Sequence, residues 1–377
     1  MPPQELIING LPLLDDAVGT GVHASRVVRL LFDQRDRLVL IPRVIAPPWL
    51  PDAKRKMYDV EIMPTLRTGN ELLNQAVWHQ RIGAHAARRG AVLFSPVPFW
   101  AVRAPARTVV SHPDRIYHHF PRYLGRRGVR RWLLRQNESF LRRCAAVLTL
   151  SEHARSDIAE IPGVDAARIT VSRCWLTDEF SAASARVDAG RVRQKYGLPD
   201  VYWLYVGGFD YRKNLETLLE AYAVERAKNP ALVLAGRLPS RQGPYCDIAG
   251  TRVRLGLGGD SLCMPGFIET ADMPGLYAGA SLFIYPSLYE GFGLPPMEAM
   301  GCRCTTICGD NSSLPEVVRD TSHRFRAGDA SALAALLARA RAGKLPFNPS
   351  FSRADFSADA AADTYIEIFN RLAWEPA

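Results

Sequence analysis

Short apolar runs alternate with stretches of helical periodicity along the first half of the chain. The runs have the length of buried strands, and between them apolar residues recur three or four positions apart, as on one face of a helix. This alternation predicts a parallel sheet covered by helices, because each helix can return the chain to the same edge of the sheet. The predicted strands are 6–8, 38–41, 92–94, 108–110, 147–150 and 169–171, and the predicted helices are about 21–33, 70–88, 126–144 and 152–160.

A second series of the same kind starts near residue 201, after a segment without a clear strand. Its predicted strands lie within 201–208, 231–237, 282–287 and 304–309, and its predicted helices are about 214–227, 271–280, 296–301 and 330–342. The pattern predicts two α/β domains, 1–180 and 201–356, with an inter-domain linker at 181–200. A last helix, 357–373, has one apolar stripe that should pack on a neighbouring surface.

The composition is that of a soluble globular protein, with 47% hydrophobic and 23% charged residues among 377. Neither a secretory signal nor a membrane-spanning segment is recognisable, and seven cysteines, an odd number, favour a reducing cytoplasm. Cys302, Cys304 and Cys308 lie close together, but no histidine stands at a ligand spacing. We therefore expect a cytoplasmic protein without a metal site.

The positive charge of the chain is concentrated in its first half. Residues 1–180 contain 26 Lys and Arg against 17 Asp and Glu, whereas residues 181–377 contain 21 of each. Within 115–143, nine arginines accompany one acidic residue, Glu138. Such a stretch suits an anionic membrane surface or a phosphorylated acceptor, and an ordinary surface helix is the competing interpretation. Nucleic acid is not an expected partner, because no recognisable nucleic-acid module accompanies the arginines.

Two glycines and two cations follow the first strand of the second series. The segment YVGGFDYRKNLETLLEAY runs from an apolar strand into Gly207 and Gly208, then into Arg212 and Lys213, with Asn214 as the predicted cap of a helix. Glycines let a ligand approach the backbone, a helix start attracts anions, and two cations can neutralise a diphosphate. An ordinary strand–turn–helix with surface charges is the alternative. No G-x-G-x-x-G pattern follows any of these strands.

A second glycine loop separates two glutamates. In YEGFGLPPMEAM, residues 289–300, Glu290 precedes the glycines and Glu298 lies in the predicted first turn of the next helix. Carboxylates at these positions can accept hydrogen bonds from sugar hydroxyls and from a ribose. A favourable charge in the first helical turn would explain Glu298, but neither Glu290 nor the loop.

Several motifs resemble those of a known enzyme family. GGFDYRKNL, YEGFGLPPMEAM and NSSLPEVV (311–318) resemble the donor-binding signatures of retaining glycosyltransferases of family 4, which have the GT-B fold. Further matches in the first half are GTGVHASRVVRLL (19–31), TVVSHPDRIY (108–117) and VLTLSEHARSDI (147–158). The resemblance implies two Rossmann-like parallel-sheet domains that face a central cleft. The first would meet the acceptor and carry helix 357–373, and the second would bind the nucleotide sugar.

The resemblance also implies roles for individual residues. The implied catalytic residues are His112, Arg212, Lys213 and Glu290. The implied donor-binding residues are Gly19, Gly21, Gly207, Gly208, Arg237, Phe292, Gly293, Leu294 and Glu298. Arg212 and Lys213 would hold the diphosphate. Glu290 would bind the sugar hydroxyls and Glu298 the ribose.

Two of these roles have alternatives, and three positions depart from the family pattern. His112 would lie beside the anomeric carbon, or it is a strand-end histidine with its hydrogen bonds satisfied. Arg237 would approach the base, or it is a solvated strand end. Arg303 stands where the family has a glycine and Thr305 where it has a proline. Gly208 stands where some relatives have an arginine, which leaves more of the phosphate charge to the two remaining cations.

The implied reaction is sugar transfer with retention at the anomeric carbon, by front-face attack while the two cations stabilise the leaving diphosphate. GDP-mannose is the first candidate donor and a UDP-sugar the second, and the acceptor is a glycan or a polyprenyl-diphosphate-linked sugar. No Asp-x-Asp motif is present, so neither a metal nor another cofactor is expected. The basic segment 115–143 would contact the inner face of the cell membrane. A non-catalytic nucleotide-sugar binding protein and another GT-B enzyme, such as a sugar-nucleotide epimerase or a phosphorylase, are the alternatives.

Overall fold

The structure is a computed structural model that describes residues 5–14, 19–58, 60–124, 128–237, 245–258 and 261–375. The chain divides into two compact units, the first formed by Met1–Cys174 with Ser357–Ala377 and the second by Trp175–Phe356. Each unit contains a parallel sheet and several helices. Among the described residues, no helix has both the length and the apolar character needed to cross a bilayer.

In the described part of the first unit, seven parallel strands form one sheet. They are β1 (Glu5–Asn9), β2 (Ile41–Ala46), β3 (Glu61–Ile62), β4 (Val92–Ser95), β5 (Thr108–Ser111), β6 (Ala146–Thr149) and β7 (Ile169–Val171). Their order across the sheet is β3-β2-β1-β4-β5-β6-β7. The helices are α1 (Gly19–Asp33), α2 (Asp52–Tyr58), α3 (Glu71–Arg88), α4 (Ile116–His119), α5 (Gly128–Leu141) and α6 (Glu152–Ala159). Residues 126 and 127 of the predicted helix 126–144 lie outside the described residues.

Strand β2 lies further along the chain than predicted. The prediction of 38–41 stops before Pro42, because proline cannot donate a hydrogen bond to a sheet. In the structure Pro42 lies inside β2 and pairs with Leu6 of β1. Strand β3 pairs only with Ile45 and Ala46, so Pro42 has a neighbouring strand on one side and its missing N–H is tolerated.

The second unit has a parallel sheet of its own, which has six strands in the described residues. They are β8 (Tyr202–Val206), β9 (Ala231–Ala235), β10 (Leu262–Gly266), β11 (Leu282–Tyr285), β12 (Thr306–Gly309) and β13 (Arg324–Phe325), in the order β10-β9-β8-β11-β12-β13. The helices are α7 (Ala182–Lys195), α8 (Leu215–Ala223), α9 (Ile248–Arg254), α10 (Met273–Gly279), α11 (Leu294–Gly301), α12 (Leu314–Val317) and α13 (Ala330–Arg341). The four predicted strands are present. The unpredicted β10 and β13 lie at the two edges of the sheet, where a strand needs less apolar surface.

Residues 181–200, predicted as a linker, are mostly helical and belong to the second unit. Helix α7 packs closely against α10. A Cβ atom on Gly275 of α10 would lie 2.7 Å from a methyl group of Val192, so the glycine permits this approach. The segment is therefore a structural part of the unit that it was expected only to connect.

A buried carboxylate attaches the end of α7 to the second unit. The side chain of Asp272, 3% exposed, accepts hydrogen bonds from Lys195 Nζ and Tyr196 OH, each at 2.7 Å, and pairs with Arg191 Nη2 at 2.8 Å. The hydrogen bond from Lys195 is the main reason that the pKa of Asp272 is lowered to about 2. Because polar contacts hold α7 in place, hydrophobic periodicity does not predict this helix.

The C-terminal helix α14 (Ala358–Trp374) belongs to the first unit. Ser357 caps it, since its hydroxyl accepts from two backbone N–H groups of the first turn at 3.1 and 3.4 Å. Tyr365 and Phe369 are buried and pack edge-on against Phe94 of β4, with ring centroids 5.9 and 5.2 Å from it. The apolar stripe of the helix is thus its buried face.

Candidate active site

The sheet of the second unit has a switch point between β8 and β11. The chain runs from β8 outward to one edge of the sheet and from β11 outward to the other. In sheets of this kind, ligands bind beyond the carboxyl ends of the two strands at the switch point. The glycine loops 207–214 and 286–293 follow these two strands, so both predicted donor motifs lie at this position.

Gly207, at the end of β8, allows its loop to pack tightly. Its φ of 153° lies in a region that favours glycine, and a Cβ atom there would be 2.7 Å from the Tyr205 hydroxyl. The same Cβ would be 3.8 Å from Cε of Lys213. The Tyr205 hydroxyl also donates to the carbonyl of Gly208 at 2.5 Å. The glycine pair therefore lies directly over the side chains that support the site.

Asn214 joins the two glycine loops instead of capping a helix with its side chain. It stands at the N-cap position of α8 with a left-handed φ of 55°, which asparagine tolerates, and its side chain makes no capping bond. Its amide donates to the carbonyl of Pro286 at 3.2 Å. The amide of Leu288 also donates to the carbonyl of Arg212 at 2.8 Å. Asn214 therefore has the predicted N-cap position, but its side chain connects the loops instead of making a capping bond.

Glu290 is bound by both predicted cations. Its Oε2 lies 2.7 Å from Arg212 Nη1, and its Oε1 lies 2.7 Å from Lys213 Nζ. The Ser287 hydroxyl donates to Oε1 at 2.6 Å, and Lys213 Nζ donates to the Tyr285 hydroxyl at 2.7 Å. We call these five residues the Glu290 cluster. The structure thus brings together three of the four residues predicted to be catalytic.

The Glu290 cluster is buried and keeps its charges. Burial alone would raise the pKa of Glu290, but the charges of Arg212 and Lys213, with hydrogen bonds from Lys213 and Ser287, lower it to about 2. Burial and the Arg212 charge lower the pKa of Lys213, and the Glu290 carboxylate opposes them. Asp210 adds a second carboxylate, with Oδ1 3.6 Å from Arg212 Nε. The arrangement therefore places two basic side chains and two carboxylates together at the switch point.

Two serines hold the loop that follows Glu290. The Glu290 amide donates to Ser312 Oγ at 3.0 Å. The Ser313 hydroxyl lies 2.8 Å from the carbonyl of Glu290 and 2.7 Å from that of Phe292. Gly293 follows with a φ of 122° and begins α11, whose first amides have no partner inside the helix. The predicted donor-binding amides at 292–294 thus lie at a helix start that is fixed by its neighbours.

Glu298 lies further into α11 than predicted. The helix begins at Leu294, so Glu298 is in its second turn, and a favourable first-turn charge does not explain it. The residue is 9% exposed, and Tyr277 OH donates to its Oε2 at 3.5 Å. Burial raises the pKa of Tyr277 well above its usual value, and the Glu298 charge adds to this, so the hydroxyl remains a donor. Glu298 thus lies after the glycine loop that begins at Glu290, and its hydrogen bond connects α11 with α10.

His112 lies in the first unit, directly after β5. Its backbone amide donates to the carbonyl of Leu148 at 2.8 Å, but neither ring nitrogen has a hydrogen-bond partner among the described residues. Burial and the nearby Arg115 charge lower its pKa to about 4, against the opposing charge of Asp157. The interpretation as a fully satisfied strand-end histidine is therefore wrong for the imidazole.

The remaining predicted residues lie at the ends of strands or helices. Gly19 and Gly21 are in the first turn of α1. Arg237 follows β9, and its guanidinium lies 5.2 Å from the ring centroid of Phe267, which follows β10 and is 48% exposed. Sequence reasoning did not single out Phe267 because a lone aromatic residue after an unpredicted strand carries no motif.

Sequence reasoning also missed the side chains that hold the charged ones. Tyr285 and Ser287 lie in LFIYPS, whose apolar pattern predicts a strand and no functional role. Ser312 and Ser313 lie in a quoted motif without an assigned role. A hydroxyl residue three positions before a buried glutamate was the available signal for Ser287. Their contacts depend on loops that are distant in sequence.

Cys302, Cys304 and Cys308 are buried free thiols. Burial raises the pKa of Cys302 to about 12, and it raises the pKa values of the other two further. Within the part of the chain that the structure describes, no group of three His, Cys, Asp or Glu side chains could hold a metal ion. Arg303, between the first two thiols, has a φ of 65° and lies over the Phe347 ring at 4.1 Å. Arg303, which stands where the family pattern has a glycine, therefore packs on an aromatic ring.

Residues 190–346, which contain the Glu290 cluster, match the family model described as glycosyl transferases group 1. The matched segment is less than half of the chain. Similar curated proteins include O-antigen chain mannosyltransferase B of Escherichia coli, 35% identical over 193 residues, which are 50% of this chain and 49% of that protein. Serotype-specific mannosyltransferase WbdA of Escherichia coli is 29% identical over 262 residues, 67% of this chain and 32% of that protein. The chain thus spans about half the length of the first relative and about a third of the second.

Solved glycosyltransferases share the fold of this chain over nearly its whole length. Sucrose-phosphate synthase from Thermosynechococcus elongatus superimposes with a TM-score of 0.74 at 18% identity, covering 98% of this chain and 99% of that one. HepE of Anabaena, solved in complex with UDP and glucose, gives a TM-score of 0.72 at 15% identity, covering 98% and 100%. The prediction of a GT-B fold with two Rossmann-like parallel-sheet domains is confirmed.

Proposed function

We propose that this protein is a retaining glycosyltransferase that moves a sugar from a nucleotide sugar to a glycan or a polyprenyl-diphosphate-linked acceptor in polysaccharide biosynthesis. The observation that carries the proposal is the convergence of Arg212 and Lys213 on one buried carboxylate at the switch point of the second sheet. Two cations at the switch point suit a diphosphate. Other anion-binding surfaces do not require such a pair of cations. The match to glycosyl transferases group 1 supports the same reaction class.

In the proposed mechanism, residues of the second unit contact different parts of the donor. Arg212 and Lys213 stabilise the charge that develops on the leaving diphosphate, with the amides at 292–294 nearby. Glu290 accepts from a sugar hydroxyl, and Glu298 accepts from the ribose. The leaving phosphate takes the acceptor proton on the face from which it departs, so the anomeric configuration is retained.

The proposal also gives roles to four glycines and to His112. Gly207 and Gly208 bring backbone close to the phosphates. Gly19 and Gly21 do the same for the phosphates or the acceptor. For His112 we keep the predicted role at the anomeric carbon, since neither ring nitrogen has a hydrogen-bond partner among the described residues.

GDP-mannose is the donor that we propose first, and a UDP-sugar second. Two relatives bear the name mannosyltransferase, which favours a mannose donor, whereas HepE was solved with UDP. Arg237 and the exposed Phe267 ring lie after neighbouring strands of the second sheet. We propose that this pair contacts the base, because an aromatic face can stack on a base and a guanidinium can pair with guanine acceptors.

A thermal-shift panel of GDP, UDP and their sugars tests the proposed function. A ligand at about 100 times its dissociation constant adds roughly 2.7 kcal/mol to the free energy of unfolding. We expect GDP and GDP-mannose to raise the melting temperature most. Transfer to an acceptor by the stabilised protein separates the enzyme from a non-catalytic binding protein. Absence of any shift with all nucleotides contradicts the proposal.

We propose that helix α5 also contacts an anionic membrane at the inner face of the cell membrane. Its C-terminal end covers the core through the buried Phe140. Its N-terminal half exposes Trp132 by 49% and Val129 by 58%, and Trp132 packs edge-on against Trp100 at 5.3 Å. Exposed arginines surround these apolar groups: Arg130, Arg131 and Arg135. Aromatic and apolar groups among cations suit the boundary between lipid headgroups and acyl chains.

Replacing Arg130 and Arg131 by glutamine is expected to reduce binding to vesicles that contain an anionic phospholipid about tenfold or more, because each arginine contributes about 1 kcal/mol near such a surface. Vesicle co-sedimentation measures this binding. The matched control replaces Arg81 and Arg88, exposed on α3, and should bind like the wild type. Equal binding by the two double variants, or equal binding to neutral vesicles, contradicts the contact.

A further inference from the structure

The Glu290 carboxylate uses most of its hydrogen-bonding capacity inside the Glu290 cluster. One oxygen accepts from Lys213 and Ser287, and the other accepts from Arg212. A carboxylate offers about four lone-pair sites, so roughly one remains for a ligand hydroxyl. The residue proposed to bind the sugar is therefore, in the absence of a ligand, mainly a partner of the two cations.

We propose that Glu290 is the internal counter-ion of the diphosphate site, which holds Arg212 and Lys213 in position and lowers the affinity of the site for the nucleoside diphosphate product. This inference rests on the proposed function, because it takes the two cations as the diphosphate site. Besides its proposed contact with the sugar, Glu290 then also affects the release of the product.

The positioning effect follows from the burial of the cations. Lys213 is 8% exposed and the Arg212 side chain is 15% exposed, so each has lost most of its hydration. Two like charges in such a place repel each other, and a carboxylate between them offsets both the repulsion and the lost hydration. Glu290 provides this with both ion pairs at 2.7 Å.

Glu290 lowers the affinity for a diphosphate because its charge has the same sign as the charge of the ligand. A diphosphate that reaches Arg212 and Lys213 comes close to the Glu290 carboxylate, and like charges repel strongly where water is excluded. Asp210, 3.6 Å from Arg212, acts in the same direction. The pair of cations therefore binds an anion less tightly than it would without these carboxylates. Weaker product binding favours turnover wherever product release limits the rate, as it does in many enzymes.

Neutral groups keep the cluster in place when the charge is removed. Lys213 retains the Tyr285 hydroxyl as an acceptor, and the Tyr285 ring is stacked on Tyr205 with centroids 6.2 Å apart. In Glu290→Gln, the amide oxygen can still accept from Lys213 and Ser287. The amide nitrogen cannot accept from Arg212, so the substitution removes the charge and this one contact but keeps the contacts to Lys213 and Ser287.

Calorimetric titration with GDP, UDP and inorganic pyrophosphate tests the inference. We expect Glu290→Gln to bind all three about tenfold more tightly than the wild type and to transfer sugar more slowly. The matched control Glu298→Gln should bind the two nucleotides more weakly. The second control, Tyr285→Phe, removes an uncharged partner of Lys213 and should show no gain in affinity. A purely structural role for Glu290 predicts weaker binding in Glu290→Gln.

The outcomes separate the inference from the proposed function. Equal or weaker diphosphate binding by a folded Glu290→Gln overturns the inference while wild-type binding stands. If Glu290→Gln does not fold, Asp210→Asn tests the same effect, with a smaller expected gain of about threefold, and no gain overturns the inference. A wild-type protein that binds neither nucleotide overturns the proposed function instead.

Discussion

Replacing Lys213 by alanine is expected to reduce sugar transfer by about 100-fold or more, because in the proposed mechanism the ammonium group stabilises charge that develops as the diphosphate leaves. The group sits 2.7 Å from both Glu290 and Tyr285, inside the buried cluster at the switch point. Arg212 remains in the variant and still pairs with Glu290. The fold should therefore survive the loss of the second cation.

Turnover with the nucleotide sugar that stabilises the protein most is the measurement for this prediction. Lys228→Ala is the matched control, since Lys228 is an exposed lysine of the same unit that pairs only with Glu225 at 3.1 Å in the described contacts. Its turnover should equal that of the wild type. Near-normal turnover by a folded Lys213→Ala would remove the central assignment of the proposed mechanism.

Acidification from about pH 7 to about pH 5 is expected to destabilise the first unit by about 6 kcal/mol. Three buried histidines carry this effect. Burial lowers the pKa of His23 to about 4, with a contribution from Arg26, and burial lowers the pKa of His79 to about 3. Burial and Arg115 lower the pKa of His112 to about 4. All three lie in the first unit.

The sign follows from which state binds protons first. In the unfolded chain these histidines titrate near 6.5, so between that pH and about 4 the unfolded state binds more protons than the folded one. The stability is fully present above the unfolded pKa and falls as the pH decreases, by about 2 kcal/mol for each histidine at pH 5. The depressed carboxyl pKa values of Asp272 and Glu290, about 2, add little in this range.

Denaturant unfolding at several pH values, with hydrogen exchange to assign the unfolding unit, measures this effect. His79→Leu should lose about 2 kcal/mol of the pH dependence and remain stable at neutral pH, because neither ring nitrogen of His79 has a partner among the described residues. A first unit equally stable at both pH values would mean that the buried histidines are protonated without cost.

The hydrophobic pattern was sufficient to predict elements whose own apolar residues form the buried surface. Strands β8 and β11 appear as apolar runs, and the apolar stripe of α14 is its buried face. The pattern was insufficient where contacts with other parts of the chain decide the local structure. Pro42 lies in a strand because no described strand pairs with it on one side, and α7 is held by the buried Asp272 although its sequence suggested a linker.

The sequence by itself determined the alternation of strands and helices, the two glycine loops and the residues of the charged motif. It did so because periodicity, glycine and charge act over a few neighbouring positions. Only the tertiary structure decided that Glu290 pairs with Arg212 and Lys213, and that Ser312 and Ser313 hold its loop. These contacts join loops at the ends of different strands, and their distances depend on how the sheet places those ends together. Local sequence carries no record of that geometry.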